Sequence, residues 1–379
     1  MSDGIGIADP VLGDPEKERV ADVIDSGMVA DGPEVRTFEA EFADYCDAAH
    51  GVATSNGTTA LQTALEAVGV RPGDRVLTTP FSFVATGNAV RFAGAEPVFA
   101  DVDPATFNLD PDAVAEQLES LDDVSAIVAV HLYGLPAPMD ELRALADEHD
   151  VALVEDAAQA HGATYRGTPV GSLGDAACFS FYPTKNMTTG EGGMVVTDDD
   201  AVAAHARSFV NHGRAEDGYR HVRLGHNFRM TSIAAAMGRA QLDRLPDFLD
   251  ARRRHAALLD DVLADTAAVT PLEPAPARHA YHQYTVRVGN RDAVADELEA
   301  AGVGTGVYYP RTIPDQPAYG DVSADVPVAR RLTEQVLSLP VHPALSDSDV
   351  RRVGRVLAES GVAAPPAPTG VEQGGVASR

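Results

Sequence analysis

Apolar residues in the first half of the chain fall into short runs separated by stretches with helical spacing. Residues 34–48 (EVRTFEAEFADYCDA) predict an amphipathic helix, and HGVATS at 50–55 predicts a short strand feeding a helix, TTALQTALEAV, at 58–68. The alternation continues through strand RVLTTP (75–80), helix FVATGNAVRFAG (83–94), strand PVFADV (97–102), helix PDAVAEQLES (111–120), strand VSAIVAV (124–130), helix MDELRALADEHD (139–150) and strand VALVED (151–156). Such a run of strand–helix units predicts a mostly parallel sheet covered by helices on both faces, with ligands held beyond the carboxyl ends of the strands. Two more apolar strands, 176–182 and 193–198, flank the loop PTKNMTTGEGG, whose glycines mark a backbone that is no ordinary crossover.

From residue 232 a long helical pattern containing Pro246 leads into strand YHQYTVRV (281–288), helix 291–302, a Tyr- and Pro-rich segment and a last helix, 346–360. The expected organisation is therefore a large α/β domain over 10–245, a smaller α+β domain over 246–360, and a disordered Pro/Gly/Ala-rich tail over 361–379.

Charge narrows the class of partner. With 29 Lys and Arg against 57 Asp and Glu, the net charge of −28 disfavours binding to nucleic acid or to an anionic membrane. The positive charge is nearly all arginine, because the lysines are Lys17 and Lys185. An acidic, lysine-poor surface suits a salt-loaded cytoplasm and predicts a halophilic, archaeal source. The start of the chain lacks the pattern of a signal peptide, no apolar run is long enough to cross a membrane, and Cys46 and Cys178 have neither disulfide-framework nor zinc spacing. A soluble protein of the reducing cytoplasm is expected.

Chemistry concentrates at a few positions. Lys185 follows an apolar strand amid small neutral residues, where desolvation lowers an amine's pKa and makes it a nucleophile suited to a Schiff base. In a chain that has shed lysine elsewhere, its retention points to a proton that must be lost, which arginine cannot do. Asp156 ends the strand VALVED at the ligand edge of the sheet, where a buried acid needs a cation such as a protonated pyridine nitrogen; capping the next helix is the alternative. In SNGTTAL, Gly57, Thr58 and Thr59 open a helix after a short strand, which suits a phosphate, although the same residues are ordinary caps. Ser180 would add a hydroxyl to that phosphate or simply pack, and Phe83 would stack on a ring or join the core. His131, His161, His212, His226 and His282 lack metal-ligand spacing, so no metal is assigned, and GEGG at 190–193 is not a nucleotide-binding loop of the GxxxxGK type.

Together, SNGTTAL (55–61), VEDAAQAHGA (154–163), FSFYPTKNMTTGEGG (179–193) and GHNFRMTSIAAAMGRAQL (225–242) resemble the motifs of the DegT/DnrJ/StrS-type sugar aminotransferases, pyridoxal-phosphate enzymes of fold type I. The resemblance covers about residues 10–360. It implies that Lys185 binds pyridoxal 5'-phosphate, that Asp156 faces the pyridine nitrogen, and that Gln159 lies near the ring and its hydroxyl. It further implies that Gly57, Thr58 and Ser180 contact the phosphate, that Phe83 stacks on the ring, and that Asn227 reaches the phosphate from a neighbouring subunit, so that a homodimer shares its active sites. The implied reaction is ping-pong transamination from glutamate or glutamine to a keto sugar carried on a nucleotide, with Lys185 as the acid and base. Arg214, Arg229, Tyr308 and Tyr309 are the residues expected to meet the substrate. Where many relatives read His-Tyr-Pro, this chain reads Tyr308-Tyr309-Pro310, a departure that touches the sugar contacts and not the cofactor.

Three other readings compete. A related dehydrase carries histidine in place of the lysine, which Lys185 opposes. A cyclitol ketone is another acceptor within the family's chemistry. A regulatory relative without catalysis is opposed by the full set of lysine, acid and phosphate contacts.

Overall fold

The computed structural model describes residues 4–215 and 218–366. Helices α1 (Asp14–Ser26) and α2 (Pro33–Tyr45) precede strand β1 (His50–Thr54), after which helix and strand alternate. The order is α3 (Gly57–Ala67), β2 (Arg75–Thr78), α4 (Ala85–Phe92), β3 (Glu96–Phe99), α5 (Pro111–Ser120), β4 (Val124–Val130), α6 (Met139–His149) and β5 (Ala152–Asp156). A small hairpin, β6 (Thr164–Tyr165) and β7 (Thr168–Pro169), then leads to β8 (Ala176–Ser180), β9 (Gly193–Thr197), α7 (Asp200–Val210) and the long α8 (Ser232–Leu263). The chain ends with β10 (Ala277–Arg278), β11 (Tyr284–Arg287), α9 (Arg291–Ala300), α10 (Pro327–Leu332), β12 (Val336–Leu339) and α11 (Asp347–Glu359).

The main sheet has the order β1-β9-β8-β5-β4-β2-β3. Every pairing is parallel except the two made by β9. The exception has a local cause: β8 and β9 are joined by residues 181–192, which contain no helix, and a parallel return needs a crossover that usually is one. Predominantly Ala, Val, Ile and Leu side chains of β4, β5, β8 and β9 are buried on both sides, as strands covered on two faces require. Register brings Val130 beside Asp156 and Asp156 beside Cys178, so β4, β5 and β8 end at one edge.

A second core gathers around the antiparallel pair β11 and β12, with α9, α11 and the end of α8. Ile5 belongs to this core, pairing with Val303, so the N-terminal segment packs against the C-terminal half of the chain. The expected division at 245/246 falls inside α8, one continuous helix of 32 residues with Pro246 in its interior. That helix lines both cores, with Leu245 and Leu249 in the first and Leu259 and Leu263 in the second.

Part of the segment expected to be a disordered tail is tied down: Gly289 N–H donates to the Ala363 carbonyl at 2.8 Å, and Ala363 N–H to Asn290 Oδ1 at 2.8 Å. The rest of that tail, 367–379, lies outside the described residues.

Candidate active site

The carboxyl edge of the sheet gathers the chemistry. Asp156, the last residue of β5, is buried, and its carboxylate accepts hydrogen bonds from Thr86 Oγ1 at 2.8 Å and from Ala158 N–H at 3.2 Å. Burial pushes its pKa up, opposed by those two donors and by the nearby charge of Lys185. Two donors leave much of a carboxylate's acceptor capacity unused.

Lys185 lies in the loop between β8 and β9, partly buried, with its backbone N–H donating to the Tyr182 carbonyl at 2.9 Å. Desolvation lowers its ammonium to about 8, while Asp156 acts in the opposite sense. With a pKa of about 8, roughly a tenth to a fifth of the amine is neutral near physiological pH, far more than an ordinary lysine offers as a nucleophile or base. The loop owes its shape to hydroxyl bonds: Thr188 Oγ1 donates to the Phe181 carbonyl and Thr189 Oγ1 to that of Glu191.

Behind Asp156 stands a second buried acid. Successive side chains of a strand point to opposite faces, so Glu155 turns away from Lys185. Its carboxylate accepts from the N–H groups of Gly171, Leu173 and Gly174 at 3.0, 2.8 and 2.9 Å, and from His131 Nε2 at 2.9 Å. The direction of the histidine bond is set by its other nitrogen: Nδ1 accepts the Ala137 N–H at 2.9 Å, so the proton is on Nε2 and the ring is neutral. The His131 N–H in turn donates to the Asp156 carbonyl at 3.1 Å. This network fixes the ends of β4 and β5.

An anion cradle opens beside them. Asn56 caps α3, its Oδ1 accepting the Thr59 N–H at 2.9 Å while Thr59 Oγ1 accepts the Asn56 N–H at 3.1 Å. Thus Asn56 and Thr59 follow the capping interpretation. The N–H groups of Gly57 and Thr58, and the Thr58 hydroxyl, have no hydrogen-bond partner among the described residues. Ser180 at the end of β8 faces them so closely that a Cβ on Gly57 would lie 2.7 Å from Ser180 Cβ, which requires glycine at 57. Free N–H groups at a helix start, with hydroxyls beside them, form a site for a phosphate.

The rim is aromatic. Phe83 is 56% exposed, so it is not a core residue, and its ring centroid lies 6.3 Å from that of Tyr309. Gln159 is buried: its Oε1 accepts the Tyr133 N–H at 2.7 Å and its Nε2 donates to Tyr309 Oη at 3.0 Å. Tyr308 packs in the same cluster, with its carbonyl accepting from the Tyr133 hydroxyl. Within the single chain the structure therefore brings together Lys185, Asp156, Gln159, Gly57, Thr58, Ser180, Phe83, Tyr308 and Tyr309.

Three expected residues stand apart. Asn227 is exposed, its backbone bridged to Asn211. Arg229 bridges Thr54 through its backbone, at the end of β1, but its guanidinium donates to Asn211 Oδ1 at 2.6 Å. Arg214 is exposed, bonded through Nε to the Gly218 carbonyl at 2.6 Å and placed 5.4 Å from the Tyr219 ring centroid.

Thr86, His131, Glu155 and Tyr133 are contributors that the sequence pattern alone did not single out for these contacts. Thr86 reads as one of several polar residues in its helix, and nothing local marks its hydroxyl for a partner 70 residues away. Glu155 carried a signal, a second acid beside Asp156 at the end of an apolar strand.

The sequence profile of the DegT/DnrJ/EryC1/StrS aminotransferase family matches residues 10–358. The pleiotropic regulatory protein of Geobacillus stearothermophilus is 41% identical, with 91% of this chain and 94% of the relative aligned. The GDP-perosamine synthase of Caulobacter vibrioides is 40% identical, over 92% of this chain and 96% of its own. Among solved structures, S. venezuelae DesV in complex with a ketimine intermediate superposes with a TM-score of 0.88 at 38% identity, covering 91% of this chain and 93% of that one. The chain belongs to the DegT/DnrJ/EryC1/StrS aminotransferase family.

Proposed function

We propose that this aminotransferase uses pyridoxal 5'-phosphate to move the amino group of glutamate or glutamine to a nucleotide-linked keto sugar, in amino-sugar or polysaccharide biosynthesis. The observation that carries the reading is the pairing of Lys185, its amine lowered to about 8, with the buried Asp156 beside an anion cradle. The naming of a similar protein as GDP-perosamine synthase supports a nucleotide sugar as acceptor.

The residues fit the cofactor. Asp156 is a buried carboxylate with acceptor capacity to spare and a pKa raised by burial, and a pyridinium supplies the countercharge it lacks. Gly57 N–H, Thr58 N–H and hydroxyl, and the Ser180 hydroxyl fit a phosphate. Phe83 is open to cover one face of a ring, and Gln159 Nε2, which gives one N–H to Tyr309 Oη, has a second that would serve an oxygen on that ring. When bound, pyridoxal phosphate supplies an aldehyde that reacts reversibly with amines and a ring that withdraws electrons. Lys185 Nζ would hold the cofactor covalently at rest and, when free, would take and return a proton, and Asp156 Oδ would face the ring nitrogen and keep it protonated.

The wider reading has two more parts. A homodimer with shared sites is supported by Phe83, Tyr182, Val222 and Leu224, large side chains exposed in the single chain, and by Asn227 lying outside its own site. A cytoplasmic setting in a halophilic organism is supported by the −28 charge and the two lysines.

A second reading, regulation without catalysis, is favoured by the name of the Geobacillus relative and opposed by the lysine–acid pair. Incubation with ¹⁵N-glutamate, then ¹⁵N-glutamine, and a panel of nucleotide-linked keto sugars separates the two. Label recovered in an amino sugar is expected. Label that passes to the cofactor but to none of the sugars would contradict the sugar reading and send the search to cyclitol ketones, and label that never leaves the donors, with the cofactor bound, would favour regulation.

A further inference from the structure

The short helical turn at Leu132–Gly134, between β4 and α6, holds Tyr133 in the left-handed region at φ 58° and ψ 2°. A bulky side chain rarely adopts that conformation, and it persists only when surrounding contacts hold it there. Here all three polar groups of Tyr133 are engaged. Its N–H donates to Gln159 Oε1 at 2.7 Å, its carbonyl accepts the Gln283 N–H at 3.1 Å, and its hydroxyl donates to the Tyr308 carbonyl. The ring is buried against Phe107, with centroids 5.6 Å apart.

These bonds join separate parts of the site. An amide side chain looks alike at both ends, and the backbone N–H of Tyr133 breaks that symmetry: Gln159 Oε1 must face it, so Gln159 Nε2 must face the site. The donated bond then occupies an acceptor position on Tyr309 Oη, whose own proton is directed elsewhere. The hydroxyl of Tyr133 meanwhile holds the 308–309 segment from its carbonyl side. One residue thus sets both the amide that points at the ring position and the aromatic pair opposite it.

We propose that Tyr133 is a positioning residue, which orients Gln159 through its left-handed backbone and anchors the Tyr308–Tyr309 segment through its hydroxyl. The spectral part of the test rests on the pyridoxal-phosphate reading above; the exchange part does not.

Tyr133→Phe removes the hydroxyl and keeps the ring. Tyr319→Phe is the control, since the buried Tyr319 hydroxyl makes a comparable long-range bond, to Asn88 Oδ1 at 2.8 Å, in a neighbouring region. In cofactor-free protein, hydrogen exchange of the 306–309 amides is expected to quicken about tenfold in Tyr133→Phe, the worth of one buried hydrogen bond, and to stay at the wild-type rate in Tyr319→Phe. With pyridoxal phosphate bound, the pH midpoint of its absorption band is expected to move by about half a unit in Tyr133→Phe alone, because Gln159 and Tyr309 shift together. Unchanged exchange would overturn the anchoring, as would equal quickening in the control. Faster exchange without a moved midpoint would reduce Tyr133 to a structural strut and overturn its positioning role. A wild-type protein that binds no pyridoxal phosphate would instead defeat the functional reading, and the exchange rates would still decide whether the hydroxyl anchors the segment.

Discussion

Lys185 and Asp156 have opposite problems with the same burial. Desolvation lowers the pKa of the amine and raises that of the acid, so each gains from the other, or from a ligand, when it carries its charge. On the proposed reading, Asp156→Asn keeps the volume and the Thr86 contact but cannot hold the ring nitrogen protonated. Its single-turnover rate with glutamate should fall by about a hundredfold or more, with cofactor still bound through Lys185. An unchanged rate would remove Asp156 from the chemistry. Gly57→Ala tests the cradle: its methyl would sit 2.7 Å from Ser180 Cβ, so the strand end or the helix start must give way. A loss of about 1–3 kcal/mol in stability is expected, with weakened cofactor binding, read by thermal melts with and without pyridoxal phosphate. Lysine scarcity made Lys185 legible, and the strand-end position did the same for Asp156. Thr86 and Tyr133 were not legible, because their roles depend on partners 70 and 175 residues away.

Among the elements, the strand–helix alternation from β1 to β5 was readable because each unit is short and strongly patterned. Other elements were not anticipated. In α1 only Glu16 and Val23 are buried, so no apolar stripe announces a helix. β12, though fully buried, is four residues long and follows directly on α10. The reversed direction of β9 follows from the helix-free loop that carries Lys185, so the loop's irregularity and the sheet's single antiparallel strand have one cause. The end of β5 depends on Glu155, whose carboxylate serves four donors. Glu155→Gln turns an amide N–H₂ toward backbone N–H groups that need an acceptor. A loss of about 2–4 kcal/mol is expected, measured by denaturant unfolding, and an unchanged midpoint would show that the network tolerates the swap.

At the scale of the molecule, α8 and the segments packed on it bury a group of histidines that the lysine–acid pair does not need. His161 and His279 are lowered to about 3 by burial, with Lys185 and Arg253 respectively adding to it. His282 is lowered by burial and then by Lys185 and Arg252, while His255 and His342 are lowered chiefly by burial. A histidine lowered in the fold binds its proton more readily when unfolded, so stability is fully present above about pH 6.5 and is lost as pH falls toward 3. Each strongly lowered histidine should cost about 2 kcal/mol at pH 5 relative to neutrality. The melting temperature should therefore drop steeply between pH 7 and 5, and His161→Phe should flatten that drop; an equal slope in the variant would assign the acid lability elsewhere.

The central claim is that Lys185 makes this chain an aminotransferase. It is tested most directly by the absorption spectrum of the protein in molar salt with pyridoxal phosphate, before and after glutamate, beside Lys185→Ala. The expected result, once free pyridoxal phosphate is removed, is a protein-bound band that glutamate, or glutamine, converts to the pyridoxamine phosphate spectrum, a conversion the variant cannot complete. A wild-type protein that retains no band or makes no conversion with either donor, or a variant that makes the same conversion, would contradict it.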